Sequence, residues 1–188
     1  MFKTWISSTS ADKKIPLGFF LAAVFLQTVV LLLAPARQSY ILATGTMITL
    51  RTAPVDPYNI LQGYYVALGY DISNPNALPG YTTQKDGQTL YVTLAKPKNS
   101  PDAPWSAVRV NTSKPPDLSP KQVVLKGILK NGRVLYGLES YNIPEEQRVE
   151  INNNLRERPE RALLDAKVDA SGAATPLRLR IGGKIYDY

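Results

Sequence analysis

The chain contains neither cysteine nor histidine. Without cysteine there is no disulfide, no thiol nucleophile and no thiolate metal site in any compartment. Without histidine the commonest general base and the commonest metal ligand are missing. The two absences exclude zinc enzymes of the usual ligand sets, Ser-His-Asp hydrolases and Cys-His proteases. Tryptophan is scarce: Trp5 and Trp105 are the two present, so no tryptophan array is available to line a sugar-cleaving groove. Dense blocks of one charge are also missing. The net charge is +7, yet no five cations run together. Lys121, Lys126, Lys130 and Arg133 alternate with apolar residues, as on exposed strands, so the charge reads as solubility and no nucleic-acid partner is expected.

Long apolar runs are rare as well, and the single one present is informative. Residues 15–36 read IPLGFFLAAVFLQTVVLLLAPA without a charge. A helix rises about 1.5 Å per residue and a bilayer's hydrocarbon core is about 30 Å thick, so about 20 residues suffice to cross it. Lys3, Lys13 and Lys14 precede the run against one acid, Asp12, while Arg37 stands alone behind it until Arg51. The positive-inside rule places the amino terminus in the cytoplasm. The expected organisation is a cytoplasmic tail over 1–14, a transmembrane signal anchor over 15–36 and an extracytoplasmic domain over 37–188. Ala34-Pro35-Ala36 has the small-x-small form of a signal-peptidase site, which makes a cleaved leader the alternative; the length of the run and the proline inside the site favour a retained anchor. Gln27 and Thr28 are polar without charge, and Gly18, Ala22 and Ala23 recur at helical spacings that suit packing against another membrane helix.

Beyond the run, apolar periodicity changes to two. Residues 46–52 (TMITLRT) predict a strand. Tyr64, Val66, Leu68, Tyr70 and Ile72 put one large face into a core. Residues 89–95 and 106–111 predict two more strands. Asn131-Gly132 between 122–129 and 134–141 marks a hairpin, because both residues tolerate the positive φ of a type I′ turn. Ser171-Gly172 joins a second hairpin, 162–168 to 174–181, and Gly182-Gly183 turns into a last strand at 184–188. One helix is expected from Pro144 to about Arg156, with Glu145 and Glu146 at its positive end and a thin apolar face of Val149, Ile151 and Leu155 lying on the surface. The proline-rich stretches 71–79, 96–104 and 111–120 read as surface connections. The expected fold class is mainly β, a small barrel or sandwich with one short helix, plus one amino-terminal transmembrane helix.

Residues 45–72 carry the most distinctive pattern: Val55-Asp56-Pro57, then Gln62-Gly63, then Tyr65, Leu68 and Tyr70. The run Gly63-Tyr64-Tyr65-Val66-Ala67-Leu68-Gly69-Tyr70 resembles the motif for which the bacterial GDYXXLXY family is named. Downstream, Leu125-Lys126-Gly127, Tyr136-Gly137-Leu138-Glu139-Ser140-Tyr141 and Pro144-Glu145 are similar to that family's second block. The resemblance covers most of 40–188. It implies a membrane-anchored protein, often encoded beside multi-pass membrane proteins, and implies no established reaction. Tyr64 stands where the family has its aspartate, which leaves this chain without that carboxylate.

The residues singled out as an interaction or turn motif are Asp56, Pro57, Gly63, Tyr65, Leu68, Tyr70, Glu139 and Tyr141. Gly63 permits a sharp turn into the strand, Pro57 fixes φ and biases Asp56 towards extended backbone, and Asp56 can cap a local turn. On one reading they set strand register. On another, Asp56, Tyr65 and Tyr141 line a groove for a peptide or partner, with Glu139 nearby. No metal site and no cofactor are expected. The reading that follows is a non-enzymatic accessory or assembly subunit of an envelope membrane complex in the bacterial inner membrane, its domain in the periplasm. The expected partners are the lipid bilayer and an integral membrane protein. Two alternatives stay open. One is an envelope hydrolase, either of Ser/Lys type with Ser106 or Ser140 and Lys126, or using an Asp56/Glu139 carboxylate pair. The other is a lipid- or sugar-binding barrel lined by some of the eleven tyrosines.

Overall fold

The computed structural model describes residues 17–53, 61–62, 65–97, 103–157 and 162–186. The chain divides into two compact units, Met1–Arg37 and Gln38–Tyr188.

In the first unit the described residues are helical. They belong to α1, Leu17–Thr44, which contains Pro35. Its most apolar 18 residues have a mean hydropathy of 2.5 and carry no burial. Phe19, Phe25 and Leu31 are each more than 70% exposed. A helix whose most apolar stretch is exposed all round among the described residues is long and apolar enough to cross a membrane. Thr28 donates its hydroxyl to Val24 O at 2.9 Å, so its polarity is satisfied inside the helix.

The second unit begins with the last turns of α1. Gly45 N closes the helix on Ile41 O at 2.8 Å. A Cβ at Gly45 would lie 2.5 Å from Ile41 O and 3.1 Å from both Lys167 Cβ and Val168 N. Only glycine admits this approach. Strand β1 (Thr46–Ala53) follows at once.

Alternation then builds most of the strands the sequence predicts; Leu61–Gln62 was not anticipated, and the described part of the period-two run 64–72 gives two short strands and a 3₁₀ turn rather than one strand. β2 is Leu61–Gln62, β3 Tyr65–Ala67, β4 Gly69–Tyr70, β5 Thr89–Ala95, β6 Ser106–Asn111 and β7 Gln122–Lys130. β8 is Arg133–Leu135, β9 Ser140–Asn142, β10 Ala162–Val168, β11 Ala174–Ile181 and β12 Lys184–Tyr186. They form three antiparallel sheets, ordered β12-β11-β10-β1-β4, β2-β3-β9 and β6-β5-β7-β8. The fold is mainly β, as expected, but among the described strands no sheet closes into a barrel. Ile48, Leu50, Leu164 and Leu179 from the first sheet share one core with Val66 and Tyr141 from the second and Val92, Leu94 and Leu125 from the third.

Asn131 (φ 51°) and Gly132 (φ 71°) make the β7–β8 turn with both residues left-handed, as the I′ geometry demands. Pro176 falls at the irregularity in the β10–β11 register, where Ala166 faces Pro176 after Asp165 faces Arg178. A bulge is where a strand tolerates a residue lacking an N–H.

Three further expectations are corrected. Residues 134–141 do not form one strand: β8 and β9 are separated by a turn at 136–139. The stretch 71–79 is no mere surface connection, since its two short 3₁₀ turns bury Ile72, Pro75 and Leu78. The helix starts later than Pro144. A 3₁₀ turn at Glu145–Gln147 leads into α2, Arg148–Glu157, in which Ile151 and Leu155, four apart, are buried while Val149 is 68% exposed. The apolar face is the Ile151/Leu155 stripe.

Candidate functional site

The family-like motif and the second block meet in the fold. β3 pairs antiparallel with β9, Tyr65 opposite Asn142, Val66 opposite Tyr141 and Ala67 opposite Ser140. Leu68 N extends the ladder to Glu139 O at 2.8 Å. Leu68, Tyr70 and Tyr141 are all buried. Asp56, Pro57 and Gly63 lie outside the described residues, as does Tyr64. The structure thus brings together Tyr65, Leu68, Tyr70, Glu139 and Tyr141 around one ladder.

The tyrosine hydroxyls there point at the main chain. Tyr70 donates to Leu138 O at 2.5 Å, and Tyr136 donates back across the same gap to Ile72 O at 2.6 Å. The segments 70–72 and 136–138 are therefore tied twice, in opposite directions. Tyr141 donates to Tyr186 O at 2.6 Å, reaching the last described strand. Each bond satisfies a carbonyl that would otherwise be buried at a cost. Burial first, and the nearby charge of Glu139 second, push the Tyr70 and Tyr136 phenols well above the ordinary tyrosine range. Both shifts favour the neutral, donating form, which suits holding carbonyls rather than transferring protons.

Glu139 has a matching structural job. Its Oε1 accepts from Tyr136 N at 2.6 Å and its Oε2 from Gly137 N at 2.8 Å. Gly137 sits at φ 78°, so the carboxylate caps a turn that only glycine enters without strain. Gly127 on β7 makes room for this knot. A Cβ there would lie 2.4 Å from Val134 Cγ1 and 3.0 Å from the Tyr136 ring. Gly127 and Tyr136 were noticed in the sequence as parts of the second block, without a role.

A second constellation was not anticipated from the sequence. On the face of β10 away from the core, Asp165 is nonetheless buried. It stands in register between Thr49 on β1 and Arg178 on β11. Thr49 Oγ1 donates to Asp165 Oδ1 at 2.7 Å, Arg178 Nε to Oδ2 at 2.7 Å, and Arg180 Nη2 to Oδ1 at 2.8 Å. Burial works to raise the Asp165 carboxyl, but hydrogen bonds from Arg178 and Thr49 and the charge of Arg180 outweigh it and hold the group below the usual carboxylate range. The legible signal was a lone acid inside an apolar strand, LLDAKV, opposite Arg178-Leu179-Arg180.

A smaller polar cluster docks α2. Lys184 Nζ pairs with Glu150 Oε1, which also accepts from the Tyr186 hydroxyl at 3.0 Å, and Asn154 Nδ2 donates to that hydroxyl at 2.8 Å. Among the described residues, no three acidic side chains converge in a way that would hold a metal ion. Among the recesses lined by described residues are two on this unit. The larger, about 380 Å³, lies between Leu50, Ile72, Leu78 and Trp105, with Arg51 and Asp71 at its rim 4.0 Å apart. The smaller, about 250 Å³, lies beside the end of β6. Neither recess contains a residue of the motif ladder.

Comparison with known proteins places the chain without assigning it a reaction. No curated protein and no solved structure matches it. Residues 27–179 match the family model of the GDYXXLXY protein, a stretch that takes in the later part of the apolar helix, the motif ladder and Asp165 with Thr49 and Arg178, and the chain belongs to that family.

Proposed function

We propose that the protein is a single-pass, membrane-anchored β domain that serves as a non-enzymatic accessory or assembly subunit of an envelope membrane complex. In this reading the amino terminus lies in the cytoplasm of a bacterium and the unit from residue 38 onward lies in the periplasm. The observation that carries it is how the motif spends its chemistry. The hydroxyls of Tyr70, Tyr136 and Tyr141 and both carboxylate oxygens of Glu139 are bonded to main-chain groups of the same chain. Groups used in this way are spent on holding the fold from inside, which keeps the backbone around the ladder preorganised for a partner. The stem supports the same reading. Its most apolar stretch carries no burial among the described residues, and Gly18 and Ala22 are spaced for close approach of a second membrane helix.

The test is affinity purification of the tagged full chain, at native expression, in a mild detergent, followed by mass measurement of the intact complex. A second membrane protein at fixed stoichiometry is the expected outcome, and its loss on Gly18→Leu places the contact on the stem. Recovery of free monomer alone removes the assembly reading.

A further inference from the structure

The four strands of the sheet β6-β5-β7-β8 contain no acidic residue. Their cations are Arg109 on β6, Lys126 and Lys130 on β7, and Arg133 on β8. Register decides which way these point. Arg109 stands opposite Thr93 on β5, and Thr93 opposite Val124 on β7. Lys126, Ile128 and Lys130 follow Val124 at intervals of two, and Arg133 stands opposite Lys130. Residues opposite each other in a ladder, or two apart on a strand, share a face. All four cations therefore lie on one side of the sheet, while Leu90, Val92 and Leu125 on its other side belong to the core. The alternation that reads as dispersed charge in the sequence is what gathers the charge in the fold.

The four cations are exposed, and among the described residues none of them forms a salt bridge. Lys130 and Arg133 are like charges directly opposite each other, which costs a sheet stability. Two acids stand beside the face, each engaged by a turn. Asp86 Oδ2 accepts from Asn131 N at 2.9 Å. Asp169 Oδ1 accepts from Ser171 N at 2.8 Å and Ala173 N at 3.0 Å, in the turn whose Gly172 O receives Lys126 N. Ile128, between Lys126 and Lys130, is 48% exposed. The face is thus an array of cations around an aliphatic centre, and neither of the two recesses is lined by any of the four. Such an array meets a plane of charge better than one small anion. A lipid surface satisfies both halves of the pattern: headgroup phosphates take the cations and the hydrocarbon boundary takes the isoleucine. The apolar helix of the same chain keeps such a surface at high effective concentration.

We propose that this face docks on an anionic lipid surface, with Arg109, Lys126, Lys130 and Arg133 on headgroup phosphates and Ile128 at the hydrocarbon boundary. The proposal rests on the apolar helix being in a bilayer and not on the assembly role, so it stands or falls independently of any protein partner.

The experiment places an environment-sensitive dye on Ile128→Cys, which is then the only thiol in the full chain. The protein is reconstituted into vesicles of phosphatidylcholine alone, or of phosphatidylcholine and phosphatidylglycerol in equal parts. In the mixed vesicles the dye is expected to shift to the blue and to be quenched by lipids carrying a nitroxide near the headgroup; in phosphatidylcholine alone it does neither. Salt at about 1 M, where the screening length falls to about 3 Å, should reverse both effects without any change to the charges of the face. Lys126→Gln, Lys130→Gln and Arg133→Gln alter exposed side chains, and each is expected to lower the ratio of docked to free protein about fivefold. The same dye on Val149→Cys, exposed on α2, should not distinguish the two kinds of vesicle. Equal emission from Ile128→Cys in both kinds, no reversal by salt, no loss in the folded charge variants, or an equal response from Val149→Cys overturns the proposal. So does a blue shift produced by soluble polyglutamate in phosphatidylcholine vesicles, which would assign the face to an acidic protein.

Discussion

Tyr70 and Tyr136 form a reciprocal tie, each hydroxyl crossing to the segment that holds the other ring. Removing one oxygen strands a buried carbonyl, so Tyr70→Phe and Tyr136→Phe should each cost about 1–3 kcal/mol. Both bonds hold the same two segments together. Once one is gone, part of the work of the other is already lost. The double variant should therefore cost less than the sum by about 0.5 kcal/mol or more, as residues in one network do. Urea denaturation followed by far-UV circular dichroism measures all four corners of this cycle, and strict additivity would show that the two bonds act separately. Asp165 gives a different signature. Its carboxyl is held below the usual range in the folded chain. The ionised form is favoured by folding, so the stabilisation is fully present above the unfolded value of about 3.9 and is lost as pH falls through the lower folded value. Asp165→Asn keeps the shape and removes the charge. It should destabilise the protein by about 3 kcal/mol at neutral pH, toward the lower end because the Arg178 and Arg180 side chains are 35% and 21% exposed. It should also flatten the acid limb of the stability curve below about pH 4. An unchanged acid limb in the variant would remove Asp165 as its source.

Which elements were legible in the sequence follows from what local pattern can and cannot encode. β5, β6, β10 and β11 sit where the alternation places them, because a residue's own side decides whether it enters the core. The Asn131-Gly132 turn was legible for a similarly local reason, the φ values it requires. The break between β8 and β9 was not legible. Val134, Tyr136 and Leu138 alternate as a strand would, and what interrupts them is Glu139 drawing in the N–H groups of Tyr136 and Gly137, a contact no period reports. The same holds for 71–79, whose Pro and Asn residues signal turns but not that the turns press Ile72 and Leu78 into the core. At the candidate site the segments were found and the wiring was not: Tyr70 and Tyr141 were named, whereas the destinations of their hydroxyls depend on strands far along the chain. Gly127 shows how such wiring constrains an element. It lies inside β7, where glycine ordinarily weakens a strand, and is kept there by Val134 and the Tyr136 ring. Gly127→Val improves local strand propensity, yet should destabilise by about 2 kcal/mol or more through overpacking. Thermal unfolding should show a lowered midpoint, and Gly127→Ala should fall between. A rise in midpoint for the valine variant would mean that Tyr136 can move aside without loss.

The absence of cysteine, which excludes so much chemistry, makes the whole molecule easy to interrogate. Any single cysteine introduced is the only thiol, so its labelling reports one position alone. Ser113 lies in the connection after β6 and is exposed, so Ser113→Cys should react fully in the solubilised protein. With the amino terminus inside, a membrane-impermeant maleimide applied to intact spheroplasts should label Ser113→Cys and leave Ser8→Cys unlabelled until the membrane is opened. The reverse pattern would invert the topology and place the β unit in the cytoplasm. Labelling of both, together with release of the protein into the soluble fraction, would mean that the apolar helix is not holding the chain in the bilayer. The distinction bears on function through geometry. An anchored β unit is confined to a thin layer next to the membrane, which raises its effective concentration towards any partner in the same bilayer. If the proposed assembly role holds, a weak contact through the stem or the β unit would suffice for assembly in the anchored protein and would not in a released domain. Deleting residues 15–36 while supplying a cleavable leader separates the two. The freed unit should fold with an unchanged circular dichroism spectrum and lose at least tenfold in partner recovery, whereas retention of the partner would place the whole contact on the β unit.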